Sequence, residues 1–81
     1  IKREGGENVK QIRQNLKQAR LDKGLTQQQA AEYLNVGLRH YKKIESGEST
    51  GSISLWDKLE DLFNTSQRVL REIRPDKVDS Q

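Results

Sequence analysis

Thr26–Gly47 reads TQQQAAEYLNVGLRHYKKIESG, and the rest of the chain is interpreted around it. The stretch opens on Thr26-Gln27-Gln28-Gln29, a capping box: the threonine hydroxyl accepts from the amide three residues on, and the Gln29 side chain reaches back. A helix over 27–34 follows, with Ala30, Ala31 and Leu34 facing inward at helical spacing. Asn35 tolerates a positive φ and suits a helix end, and Val36-Gly37 completes a very short connection. A second helix over 38–45 sets Tyr41, Ile44 and Glu45 on one side, and Ser46-Gly47 ends it. Two short helices joined this tightly must cross at a steep angle. Close crossing needs a small residue, and Ala31 supplies it.

Upstream, Val9, Ile12, Leu16 and Ala19 recur at steps of three and four, with Lys10, Arg13, Lys17 and Gln18 as the solvated face between them. This predicts a helix over 9–23, started by Asn8 and ended by a left-handed Gly24. Downstream, Glu48–Gly51 is a loop, and Ser52 caps a helix over 53–63 whose stripe is Ile53, Trp56, Leu59, Leu62 and Phe63. Asn64 closes that helix; Asn64-Thr65-Ser66 spells a glycosylation sequon but is read as a helix stop. Ser66 caps a last helix over 67–73 carrying Val69, Leu70 and Ile73, and Pro75 stops it. No segment alternates with period two, so no strand is expected. Residues 1–8 and 74–81 have almost nothing to bury and are expected to be flexible, as an N-terminal arm and a C-terminal tail around a domain at 9–73.

Composition narrows the function. Eighty-one residues make one small domain. With 31% hydrophobic and 33% charged residues, its core is modest. Without cysteine there is neither a disulfide framework nor a thiolate metal site, and a lone histidine removes schemes that need two. No apolar run approaches the ~20 residues of a membrane span, and no signal peptide is visible. No Ser-His-Asp set has a credible oxyanion site, so neither catalysis nor a cofactor or metal is expected. Gly5-Gly6 lacks the strand and lysine of a phosphate loop and reads as linker. The chain starts at Ile1 and holds no methionine, which fits a processed form or a piece of something longer. A net charge of +3 is compatible with nucleic acid but does not by itself argue for it.

The helix–turn–helix arrangement gives that charge a purpose, because its first helix can lie across a DNA backbone while its second enters the major groove. The run Arg39–Lys43, which elsewhere would be only a solvated helix face, then meets phosphates. From Leu16 to Leu70 the chain resembles the Cro and lambda-type phage repressor family, or Xre-type helix-turn-helix family. The resemblance rests on Arg20, Lys23-Gly24-Leu25-Thr26-Gln27, Ala31, Leu34-Asn35-Val36, Tyr41, Ile44-Glu45-Ser46-Gly47, Ser52-Ile53, Trp56, Leu59, Phe63-Asn64 and Ser66. It implies an all-α, compact five-helix DNA-binding domain. DNA contacts would come from Thr26, Gln27, Gln28, Gly37, Leu38, Arg39, His40, Lys42 and Lys43, with Gln27 touching a phosphate and bracing the recognition helix. It also implies a structural ion pair between Arg20 and Glu45.

Several positions depart from the family pattern. Gly37 stands where Ser or Thr usually caps the recognition helix. Ala30 replaces a common leucine, leaving space that Trp56 is expected to fill, and Glu60 replaces a common small residue. Glu48 in the following loop would be repelled by phosphate and is assigned no contact. The combined reading is a transcriptional regulator, a repressor, bacterial or phage-borne, acting in the cytoplasm at the nucleoid. It would bind a palindromic double-stranded operator as a homodimer, with Phe63, Val69, Leu70 and Ile73 as the dimer surface and Lys2, Arg3 and Lys10 as a basic arm along the backbone. The alternative is an antitoxin or controller module of the same fold acting mainly through a protein partner.

Overall fold

The structure, a computed structural model, describes residues 11–75. Five helices follow in order: α1 (Gln14–Asp22), α2 (Gln27–Leu34), α3 (Leu38–Ser46), α4 (Ile53–Phe63) and α5 (Gln67–Leu70). Two two-residue strands, β1 (Gln11–Ile12) and β2 (Arg74–Pro75), bracket them. The expected cap at Asn8, the inward Val9 and the basic arm at Lys2, Arg3 and Lys10 lie outside the described residues.

The strands correct the expectation that there would be none. β1 and β2 pair antiparallel, Gln11 opposite Pro75 and Ile12 opposite Arg74. A pairing two residues long needs no period-two run, only two chain ends brought together. It also explains why α1 begins at Gln14 rather than at 9: Gln11 and Ile12 are committed to β2, and the Arg13 amide donates to the Glu45 carbonyl at 2.9 Å. At the other end α5 is one turn, 67–70, not the 67–73 expected, and Arg74 and Pro75 belong to the folded unit rather than to a tail.

The turns follow the local sequence. Thr26 and Gln29 form both bonds of the capping box, at 3.0 and 2.9 Å. Asn35 and Asn64 end α2 and α4 at φ 60° and 51°, in the left-handed region. Ser52 caps α4 by accepting from the Leu55 amide, and Ser66 caps α5 by accepting from Arg68. Gly51 is required by both backbone and space: its φ is +74°, and a Cβ there would meet Trp56 Nε1 at 2.9 Å and the Ile44 and Leu55 side chains at 3.0 Å.

The core is one cluster joining Leu16 of α1, Ala30, Ala31 and Leu34 of α2, Tyr41 and Ile44 of α3, the inner face of α4, and Leu70 of α5. Ile53 is not in it. It is 80% exposed, and Leu55 takes the inward place. At ~100° per residue Ile53 falls off the arc that Leu55, Trp56, Leu59, Leu62 and Phe63 share. Phe63 and Leu70, expected at a dimer surface, are also core, at 9% and 0% exposure; only Val69 and Ile73 of that group reach solvent.

Candidate nucleic-acid interface

α3 is divided between two jobs. Tyr41, Ile44 and Glu45 are buried, while Arg39, His40, Lys42 and Lys43 are exposed and Leu38 is half-buried. None of Arg39, Lys42 or Lys43 pairs with a carboxylate among the described residues. Gly37 begins the helix in extended conformation with no side-chain cap, so nothing bulky stands at that end of α3. The first turn of α2, which meets α3 through the Gln27–Glu45 bond, carries Thr26, Gln27 and Gln28. The Thr26 hydroxyl is occupied by the capping box, and the exposed Gln28 amide donates to Glu32 at 3.1 Å. The sequence-predicted residues thus lie on the first turn of α2 and along α3 from Gly37 to Lys43. Glu48, given no contact, is exposed in the loop that follows.

What holds α3 at its angle is the Glu45 carboxylate. It accepts Arg20 Nε at 2.8 Å and the Tyr41 hydroxyl at 2.9 Å on one oxygen, and Arg20 Nη2 and Gln27 Nε2 at 3.1 Å each on the other. α1, α2 and α3 thus meet at one saturated carboxylate. Gln27 reaches across to α3 through it. The Arg20 guanidinium's own hydrogen bond to Glu45 raises the Arg20 pKa, against the burial that alone would lower it. Burial first, and the Glu45 charge second, push the Tyr41 phenol well above its ordinary value. Arg20 Nη1 also donates to the Leu25 carbonyl at 2.8 Å, fixing the turn before α2. A groove of about 320 Å³ along this seam carries Lys17, Gln27 and Lys42 together.

Arg13 was expected on the solvated face of a longer α1. It is instead 6% exposed. Its Nη1 donates to the Ile44 carbonyl at the end of α3 and to Ser49 in the next loop, at 2.7 Å for Ser49, and its Nε to Arg71 at 3.2 Å. Its guanidinium lies 5.1 Å from the centre of the Trp56 ring. A cation at a helix C-terminus is favoured by the helix dipole, so Arg13 ties the far end of α3 down while its near end stays open. Burial, then the neighbouring Arg71, lowers its pKa. Trp56 completes this corner by donating Nε1 to the Thr50 carbonyl at 2.6 Å.

Two helices crossing through a tight turn, the second anchored along one face and cationic along the other, define a helix-turn-helix DNA-binding domain. The chain belongs to the helix-turn-helix family of Xre and lambda-repressor type, whose sequence profile matches residues 16–69. No curated protein and no solved structure matched the chain in the same comparisons. The match leaves Arg13 outside its span, along with both strands. Among the described residues no helix is long and apolar enough to cross a membrane.

Proposed function

We propose that the chain is a sequence-specific regulator of transcription, a repressor, that reads duplex DNA by placing α3 in the major groove. The observation that carries this reading is the division of α3: one face locked to α1 and α2 through Glu45, the other bearing Arg39, His40, Lys42 and Lys43 with no acidic partner among the described residues. An arginine fork matches the O6 and N7 acceptors of guanine, which suits Arg39 near the start of the helix. Lys42 and Lys43, one turn further on, suit phosphates. At the α2 end the amides of Gln27 and Gln28 lie in the first turn, where backbone N–H groups face an anion without competition from within the helix. Leu38 and Gly37 let the duplex approach closely.

One such motif contacts too few base pairs to mark a unique site, so the domain acts as a homodimer on an inverted repeat. Half-sites lie one helical turn apart, ~34 Å, because both recognition helices must meet the same face of the duplex. The apolar surface left for pairing is small, with Val69 and Ile73 at 42% and 45% exposure. The dimer therefore forms on DNA rather than before it. Repression follows from occupying a promoter, and the site of action is the nucleoid. Binding-site selection with the purified chain tests the reading. Enrichment of an inverted repeat, bound two-to-one with a steep salt dependence, is expected. Selected pools with no common sequence would refute it.

A further inference from the structure

An open groove of about 610 Å³ beside α5 is lined by Arg13, Arg68, Val69, Arg71 and Glu72. None of these residues belongs to α2 or α3, so the groove is separate from the recognition surface. Three of its five walls are guanidinium groups. The buried Arg13 directs Nε and Nη1 to backbone carbonyls, and its Nη2 has no partner among the described residues. The exposed Arg68 and Arg71 pair with no carboxylate among the described residues. The groove's own carboxylate, Glu72, is engaged elsewhere, accepting from Asn15 Nδ2 at 2.9 Å and lying 3.5 Å from Arg74 Nη1. Arg71 also sits near enough to Arg13 to disfavour its charge, and both stand over Trp56, at 5.9 and 5.1 Å. Like charges are gathered on this wall, and among the described residues no carboxylate pairs with Arg13, Arg68 or Arg71.

We propose that this groove binds a phosphate-class oxyanion, held by the forks of Arg68 and Arg71 with buried Arg13 beneath them. The guanidinium plane matches a phosphate edge with two parallel N–H donors, and such charge-assisted bonds are roughly twice as strong as neutral ones. An anion there also relieves the repulsion between Arg13 and Arg71. The space exceeds what an inorganic ion fills and lies in the range of small-ligand sites, so a phosphomonoester offers the same chemistry with a body to occupy the remainder. Nothing in the site depends on α3 reading DNA.

Trp56 is the only tryptophan in the chain and touches two of the three arginines, so its fluorescence reports the groove directly. The full chain is titrated with sodium phosphate at constant ionic strength, with sodium chloride as the control. A saturable change in emission is expected with phosphate alone. Arg68→Gln, which leaves the arginines over Trp56 in place, weakens it at least ~tenfold with an unchanged circular dichroism spectrum. Phosphate raises the melting temperature of the wild type but not of the Arg68→Gln/Arg71→Gln double variant. Glycerol 3-phosphate separates the two sources: tighter binding than inorganic phosphate assigns the groove to a phosphomonoester, equal or weaker binding to the free ion. A change that chloride reproduces, or one that Arg68→Gln leaves intact, overturns the site. So does a short DNA duplex that perturbs Trp56 through Arg68 while phosphate does nothing, since that would make these arginines part of the DNA contact.

Discussion

Replacing Arg20 with alanine tests the joint on which α3 stands. The Arg20 and Glu45 side chains are 9% and 5% exposed, so solvent does little to screen their interaction. Arg20→Ala removes two of the four donors on the carboxylate and the bond to the Leu25 carbonyl. Breaking a buried pair by deleting one partner costs ~3–5 kcal/mol, because the remaining charge keeps its desolvation penalty. Gln27 and Tyr41 still donate to Glu45, which places the expected loss at the lower end, ~3 kcal/mol. In a domain this small each kcal/mol moves the melting temperature by ~4–8 °C, so a fall of ~12–24 °C is expected, nearly independent of salt. Thermal melts and urea titrations measure it. Glu45→Gln made alone and together with Arg20→Ala completes a double-mutant cycle, and the double variant should lose less than the sum of the two. An Arg20→Ala protein melting within a few degrees of the wild type, or strict additivity, would refute the argument that this carboxylate is held by a buried pair.

Three further outcomes follow. The Tyr41 phenol is held above its ordinary value of 10.0, so below pH 10 it is neutral in both folded and unfolded chains. Above that the unfolded chain ionises first and stability falls by up to ~1.4 kcal/mol per pH unit; Tyr41→Phe should remove this slope from alkaline denaturation curves. Gly51→Ala forces a left-handed alanine against Trp56, Ile44 and Leu55 and should cost ~2–4 kcal/mol in urea unfolding, with altered tryptophan emission. At a selected operator Arg39→Ala should cost ~1–3 kcal/mol and relax preference at one base position, whereas Lys43→Ala should weaken binding to all sequences alike and reduce the salt slope by ~1; anisotropy titrations over a salt series distinguish the two.

What the sequence made legible, and what it hid, divides by distance along the chain. The capping box at Thr26, the left-handed Asn35 and Asn64, and the serine caps at 52 and 66 are decided by residues within one turn, and their atoms are where the spacing puts them. The inward faces of α2 and α3 repeat at helical period and were equally readable. Ile53 is apolar and adjoins the stripe in sequence, but its direction on the helix, off the arc shared by Leu55 and Trp56, leaves it in solvent. The difference at residues 11–13 has another source. The pattern Ile12, Leu16, Ala19 is helical as far as it goes, and nothing local forbids a helix starting at Val9. The competing arrangement is assembled from Glu45, Ser49, Arg71 and the strand at 74–75. No local period encodes partners 31 to 58 residues away.

Arg13 is the residue where that distinction matters for mechanism. A sequence reading sorts arginines by face, and a polar residue between apolar ones is assigned to water. Here the chain leaves the helical path one residue earlier, the backbone amide of Arg13 is taken by Glu45, and the side chain turns inward onto carbonyls that end α3 and α5. The Ile44 carbonyl accepts only a 3.3 Å bond from Gly47 at its own helix end, and helix-end carbonyls generally lack a full set of partners, so a buried cation that supplies several donors at once is stabilising where a buried aliphatic would supply none. The family match covers residues 16–69 and leaves Arg13 outside it. α3 is therefore gripped twice in its last turn: by the Arg20–Glu45 joint within the matched span, and through the Ile44 carbonyl by an arginine outside it. The second grip binds the C-terminal end of α3 to α5 and to the strand pair, so that any ligand or partner seated beside α5 would act on the helix proposed to read DNA through a single side chain.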